Sequence, residues 1–242
     1  MLEELLARYP ALTACREDIE RAARLLIDCY RHGGKLLLCG NGGSCADCEH
    51  IVGELMKGFL KKRPLSARKR EKMRENWETL DENLLDKLQC GLPTISLPSM
   101  AALNTAFCND VDPELLYAQG VLALAKEGDV LLGISTSGNA KNVCAAAEIA
   151  RALGVAVLGL TGEAGGRLRT LCDCCICPFI TTCVPKRKPI SLKNEEKPWK
   201  LNQFCTATAF TTISLRFRQC LTAASASSVC LIQKTTILSG RP

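Results

Sequence analysis

The sequence predicts an α/β domain with a doubly wound, parallel five-stranded sheet and helices on both of its faces. Short, continuously apolar segments alternate along the chain with segments of helical periodicity, and the connections between them are short. Two polar loops, at residues 40–44 and 135–139, each follow an apolar segment, where ligands bind to sheets of this kind. The 242 residues are 47% hydrophobic and 23% charged, which suffices for such a domain with a buried core.

The individual elements follow from local patterns. Residues 2–31 predict two amino-terminal helices, because apolar residues recur at helical spacing and Pro10 interrupts them. A helix is expected from Cys45 to residue 59 with Ser44 as its N-cap, and His32 is interpreted as a helix cap. The five strands are expected at residues 35–39, 94–97, 129–134, 155–160 and 172–177. Further helices are expected at residues 112–125, with Pro113 in the first turn, and from the second loop to Leu153, with a single turn at 167–170.

Two segments depart from this alternation. Residues 63–89 are highly charged and interrupted by proline, which is typical of a solvated helical segment rather than a binding patch. Residues 179–242 hold ten Lys and Arg but two Glu, which leaves 21 basic and 23 acidic residues in the rest of the chain. The net charge of +6 therefore comes from the tail alone. We predict a domain at residues 1–178 and an atypical tail at 179–242.

Composition also limits the partners and the compartment. The body has no basic face with interleaved aromatic residues, which argues against nucleic acid as a partner. Its apolar runs are shorter than the roughly 18–20 residues that cross a bilayer, so no membrane partner is expected. The acidic residues 1–4 do not resemble a secretory signal, which predicts a cytoplasmic chain with reduced thiols despite its 16 cysteines.

Four of these cysteines form a cluster, whose members are Cys172, Cys174, Cys175 and Cys177. Structural zinc sites pair one C-x-x-C hook with a second hook at a suitable distance, and this cluster has no such second hook. We interpret it as an ordinary buried strand.

The two polar loops have the composition of an anion site. Glycines and small hydroxyl residues, among them Ser135, Thr136 and Ser137, precede predicted helix starts, where backbone N–H groups and the helix dipole favour negative charge. The spacing fits neither a nucleotide P-loop nor a dinucleotide fingerprint. Either loop alone is explained by turn and capping chemistry, whereas two such loops at one sheet edge favour a site for a phosphorylated small molecule.

His50 and Glu54 lie four residues apart and therefore share a helix face just after the first loop. A surface hydrogen bond is the commoner role of such a pair. A His and a carboxylate at this spacing can also bind a divalent metal or transfer a proton. The position beside the predicted anion loop favours the functional interpretation.

Several of these segments together resemble phosphoheptose isomerases, which belong to the sugar-isomerase (SIS) domain family. They are residues 40–44, His50 with Glu54, Asn109 with Asp110, residues 128–139, and residues 160–162 with 165–166. The resemblance covers residues 1–177. It implies a homotetramer whose sites use neighbouring subunits. It also implies conversion of sedoheptulose 7-phosphate to D-glycero-D-manno-heptose 7-phosphate by enediol proton transfer.

The resemblance assigns roles residue by residue. It implies phosphate contacts at Ser135, Thr136 and Ser137, and zinc ligation by His50 and Glu54. Glu54 also matches the carboxylate that acts as acid and base in the family. The remaining substrate contacts are implied at Asn41, Gly42, Gly43, Ser44, Asn109 and Asp110.

Two departures from the family pattern weaken the expectation of catalysis. Ala140 stands where the family usually has a serine. The family's last helix supplies a Gln and a catalytic His as metal ligands, but the histidines of this chain are His32 and His50. The tail offers Gln203 and Gln219 without a His, so the predicted zinc site is incomplete and stoichiometric zinc is not expected. The alternative function is a non-catalytic SIS module that binds a phosphosugar or associates with the replication initiator.

The tail itself has two explanations. It is a divergent segment, or it is out of frame or disordered: residues 185–194 can be given codons that, when read two bases later, encode the family-like sequence Glu-Thr-Glu-Thr-Tyr-Ile-Ile-Glu-Glu.

Overall fold

The computed structural model describes residues 2–58 and 62–177. These residues form one parallel sheet and the helices that cover it. Its strands are β1 (Leu36–Gly40), β2 (Thr94–Ser96), β3 (Val130–Ser135), β4 (Ala156–Thr161) and β5 (Cys174–Ile176). They lie in the order β2-β1-β3-β4-β5, and every neighbouring pair is parallel. The predicted doubly wound, five-stranded sheet is confirmed.

The central strands are buried because both of their faces are covered. Every residue of β1 and β3 is buried, as the continuous apolar runs of these strands predict. Successive side chains of β1 point to opposite faces, so that Leu36 and Leu38 enter one core while Leu37 and Cys39 enter the other.

The described helices cover these two faces. The amino-terminal helices and the helix after β1 bury residues such as Ile19, Leu26 and Ile51 in the first core. Helices later in the chain bury Val121, Ala146 and Leu168 in the second. The bounds are α1 (Leu2–Arg8), α2 (Arg16–Arg31), α3 (Gly43–Met56), α4 (Ala67–Asn76), α5 (Glu82–Lys87), α6 (Ala101–Asp110), α7 (Leu116–Leu124), α8 (Lys141–Ala152) and α9 (Gly166–Leu171), with 3-10 turns at Pro10–Cys15 and Leu97–Ser99.

Three helix predictions need correction. The N-cap of α3 is Gly42 rather than Ser44, because the backbone turns into the helix two residues earlier, at a positive φ of 55°. Helix α7 begins four residues later than expected, since Asp112 accepts a bond from the backbone N–H of Glu114 (2.7 Å) and forms a turn around Pro113. Helix α6 was not predicted at all.

Other predictions are confirmed or untested. His32 caps α2, with Nδ1 2.8 Å from the carbonyl of Asp28. Within the described part of the chain, no helix is both long and apolar enough to span a bilayer. The predicted boundary at residue 178, the tail 179–242 and its Gln203 and Gln219 lie outside the described residues.

Candidate functional site

The first polar loop joins β1 to α3, and a buried tyrosine forms hydrogen bonds to it. The hydroxyl of Tyr117 donates to the carbonyl of Gly40 (2.8 Å) and lies 3.0 Å from Oδ1 of Asn41. Burial raises the pKa of Tyr117, so that this hydroxyl stays protonated and acts as a donor. The loop therefore presents Asn41, Gly42 and Gly43 to solvent from a fixed base.

The second polar loop joins β3 to α8 and packs against the start of α9. Gly138 has a φ of 67°, and a Cβ at this position would lie 1.9 Å from the carbonyl oxygen of Gly165. The Gly138 carbonyl accepts from the N–H of Leu168 (2.8 Å), and Oδ1 of Asn139 accepts from that of Arg167 (2.9 Å). Only glycine at position 138 fits this close approach.

The hydroxyl residues of this loop differ in exposure. Ser135 is the last residue of β3 and is buried, whereas Thr136 and Ser137 are exposed. Oγ of Ser137 accepts from the N–H of Asn139 (3.1 Å). The next residue, Ala140, is the N-cap of α8 and supplies no side-chain acceptor, whereas the N–H of Val143 in the first turn donates to Oδ1 of Asn142 (2.9 Å).

A pair of side-chain amides joins the first loop to the first turn of α8, directly after the second loop. Nδ2 of Asn41 donates to Oδ1 of Asn142 (2.8 Å), and Nδ2 of Asn142 donates back to Oδ1 of Asn41 (3.0 Å). These residues are 101 positions apart in sequence and meet because β1 and β3 are neighbouring parallel strands. The structure thus brings the two predicted loops to one edge of the sheet.

His50 and Glu54 lie on α3, one turn apart, as their spacing predicts. Nε2 of His50 is 3.7 Å from Oε1 of Glu54. The carboxylate is almost fully buried, with 6% of its side chain exposed, while the imidazole is 53% exposed. Such a pair combines a shielded carboxylate with an accessible nitrogen and can handle a proton at the protein surface.

Asn109 and Asp110 are the last residues of α6, and both are exposed. Nδ2 of Asn109 donates to Oδ1 of Asp110 (2.7 Å). The hydrogen bonds that the structure shows for these two side chains do not connect them to either loop. Their implied contacts with substrate stay a prediction.

The described residues do not fit a complete zinc site. Structural and catalytic zinc need at least three protein ligands, and His50 with Glu54 supplies two. Over residues 2–58 and 62–177, no group of three or more His, Cys, Asp or Glu side chains is arranged to hold a metal ion. The cysteine cluster fails this test as well, and its predicted strand is confirmed as β5.

Sequence reasoning missed Tyr117 and Asn142, the two residues that position Asn41. Tyr117 lies within a largely apolar helix, and Asn142 follows the second loop without any motif of its own. No local signal distinguishes them.

Comparisons with known proteins agree on one family. Two profiles of the SIS domain match the chain, at residues 102–181 and at residues 3–79. A phosphoheptose isomerase from Desulfovibrio desulfuricans is 38% identical over 154 residues, which is 64% of this chain and 61% of the relative. One from Aliarcobacter butzleri is 35% identical over 177 residues, which is 72% of this chain and 80% of the relative.

A solved structure is similar over a longer stretch. The phosphoheptose isomerase from Neisseria gonorrhoeae superposes with a TM-score of 0.59 at 25% identity, covering 90% of this chain and 93% of that one. The matched part spans less than two thirds of the Desulfovibrio relative.

Proposed function

This chain belongs to the SIS domain family and is similar to its phosphoheptose isomerases, and from that premise we propose that it binds a phosphorylated sugar and isomerises it. The proposed reaction converts sedoheptulose 7-phosphate to D-glycero-D-manno-heptose 7-phosphate. The observation that carries the proposal is the Asn41–Asn142 pair, which joins the first anion-type loop to the start of the helix that follows the second, at the carboxyl edge of the sheet.

The phosphate would lie against the β3–α8 loop. Ser135, Thr136 and Ser137 supply hydroxyl donors, and the start of α8 adds backbone N–H groups and the positive end of the helix dipole. The N-cap Ala140 has no side-chain acceptor for the N–H groups of Lys141 and Asn142, which supports this role.

The sugar would lie against the first loop. Asn41, Gly42, Gly43 and Ser44 would contact its hydroxyl groups, and the glycines would let the backbone approach closely. Asn109 and Asp110 would reach a sugar from the end of α6. Every residue of α6 is at least partly exposed in the single chain, which supports a second proposal, that a neighbouring subunit of a homotetramer packs there.

Glu54 would move the proton. An aldose–ketose isomerisation removes a proton from one carbon and returns it to the adjacent carbon through an enediol. The Glu54 carboxylate is shielded from water and lies beside an imidazole that can exchange the proton with solvent. In this proposal His50 therefore orients the Glu54 carboxylate and transfers protons between it and solvent.

The family implies zinc as a cofactor. His50 and Glu54 would be two of its ligands, and zinc would polarise the substrate carbonyl if a third ligand completed the site. With two ligands we expect less than one tightly held zinc per chain. Elemental analysis of purified protein checks this, and one bound zinc per chain after dialysis against chelator would contradict it.

A second candidate function is phosphosugar binding without catalysis, which the lack of any histidine after His50 favours. We also propose that the chain works in the cytoplasm, where its many thiols stay reduced.

Two measurements on the full chain separate the candidate functions. Calorimetry with sedoheptulose 7-phosphate measures binding, and NMR of the same mixture measures isomerisation. Binding with turnover supports the isomerase, and binding without turnover supports the non-catalytic module. The matched control ligand is sedoheptulose without phosphate, which we expect to bind at least about tenfold more weakly. Equal affinity for both sugars would refute the phosphate site.

A further inference from the structure

Several thiols lie close together beside β4 and β5, the two neighbouring strands at one side of the sheet. Gly159 of β4 lies opposite Cys175 of β5, so Cys177, two residues further on, comes beside Thr161. Sγ of Cys175 lies 3.3 Å from Sγ of Cys177. Oγ1 of Thr161 lies 3.1 Å from Sγ of Cys177 and 3.7 Å from Sγ of Cys175.

A third thiol reaches the same place because Gly159 has no side chain. A Cβ built on Gly159 would lie 2.6 Å from Sγ of Cys172 and 2.8 Å from Sγ of Cys175. The two sulfurs therefore occupy the volume that a side chain would fill. Cys174, in contrast, points to the opposite face of the sheet and joins the other core.

The surroundings of Cys175 favour its thiolate. Side-chain hydrogen bonds from Cys172, Cys177 and Thr161, with a smaller effect of the Arg169 charge, lower its pKa to about 6 against the opposing effect of burial. Burial and the nearby Asp18 raise the pKa of Cys174 to about 12. The pKa values of these adjacent cysteines are thus shifted in opposite directions, which predicts that Cys175 is the more reactive thiol.

We propose that Cys175 is the reactive thiol of a modification site, at which a peroxide produces a disulfide between Cys175 and Cys177. The Cys175 thiolate attacks one peroxide oxygen. The O–O bond breaks, a sulfenic acid forms, and the other oxygen leaves as water after taking up a proton. The Cys177 thiol then attacks this sulfur, the S–S bond forms and a second water leaves, so two thiols lose two electrons and the peroxide gains them.

The geometry suits this product. The two sulfurs need to approach by about 1.3 Å to reach the length of a disulfide bond. All described cysteines are free thiols in the present structure. Cys175 and Cys177 are both partly exposed, so a small peroxide can reach them.

The first experiment uses the unmodified full chain. Iodoacetamide labelling at pH 7, followed by mass spectrometry of each cysteine, should show Cys175 reacting on the order of tenfold faster than Cys174. Equal rates for the two residues would overturn the proposal without any mutation.

The second experiment maps the product. The reduced chain is treated with one equivalent of hydrogen peroxide, alkylated, digested and fragmented. We expect a loss of two hydrogens localised to a Cys175–Cys177 link, absent from Cys175→Ser and Cys177→Ser and kept in the matched control Cys174→Ser. Cys177→Ser should instead yield a dimedone adduct on Cys175. Both thiols remaining free, or a disulfide from Cys175 to Cys172, would overturn the proposal.

Discussion

Polar groups at the amino and carboxyl ends of β1 and β3 differ in their hydrogen bonding and exposure. At the amino end of β1 and β3, the buried carboxylate of Asp129 accepts from the N–H of Lys35 (2.9 Å), the N–H of Lys126 (2.8 Å) and Nζ of Lys35 (2.5 Å). At the carboxyl end, Thr136 and Ser137 are exposed, and the N-cap of α8 is Ala140, which has no side-chain acceptor.

This difference separates stability from binding. At the amino end the chain itself satisfies the Asp129 carboxylate, so these hydrogen bonds stabilise the fold. The carboxyl end leaves donors directed at solvent, where a ligand can take them. Changes at the two ends should therefore have opposite signatures, one in unfolding and one in affinity or turnover.

The largest effect is expected at the carboxyl end. Glu54→Gln keeps the shape of the side chain and removes its basic oxygen, so it should lower kcat/KM for sedoheptulose 7-phosphate at least about 100-fold. The assay is NMR of the isomerisation at matched protein concentrations. Thermal unfolding should show that the variant stays folded.

Glu49→Gln is the control for this change, because Glu49 lies on the same helix and is exposed, with Oε1 3.2 Å from Oγ of Ser99. It should keep the turnover of the parent chain. An equal loss in both variants would mean that the helix rather than the base was damaged.

The second-largest effect is expected at the amino end of β1 and β3. Asp129→Ala leaves two backbone N–H groups and a largely buried ammonium without their acceptor, which should lower the free energy of unfolding by about 3 kcal/mol. Urea denaturation measures this loss. The change Glu127→Ala, at an exposed residue two positions earlier, should alter stability by less than about 0.5 kcal/mol. If Asp129→Ala is folded but binds the sugar more weakly, the assignment of stability to the amino end and binding to the carboxyl end is contradicted.

Much of the fold was predictable because the strands are buried on both faces. Their uninterrupted apolar runs placed all five strands to within about two residues at each end. Helix α6 escaped prediction for the opposite reason. None of its ten residues is buried in the single chain, so it carries no apolar stripe that periodicity could detect.

The candidate site was predictable only in its local parts. The loop compositions and the His50–Glu54 spacing are visible in short windows of sequence. The Asn41–Asn142 pair depends on the register between β1 and β3 and joins residues 101 positions apart. Propensity and periodicity contain no information about such a contact.

A smaller effect is expected from the hydroxyl residues of the second loop. Ser137→Ala and Ser135→Ala should each weaken binding of sedoheptulose 7-phosphate by about 1.5–3 kcal/mol, the value of one charge-assisted hydrogen bond. Calorimetry measures the affinity. Ser66→Ala, which removes a hydroxyl at the start of α4 and outside both loops, should bind like the parent. Unchanged affinity in both loop variants would place the phosphate elsewhere.

The smallest effect is expected from a change in the Asn41–Asn142 amide pair. Asn142→Ala removes both amide hydrogen bonds to Asn41 but leaves the bond from Tyr117, so the first loop keeps part of its support. A net loss of about 0.5–1.5 kcal/mol corresponds to roughly two- to tenfold weaker sugar binding. Asn76→Ala, an exposed change of the same chemistry at the end of α4, is the control for calorimetry. Because Asn142 positions Asn41 rather than the phosphate, affinity for inorganic phosphate should stay unchanged. A parallel loss for phosphate would show that the two loops act as one unit.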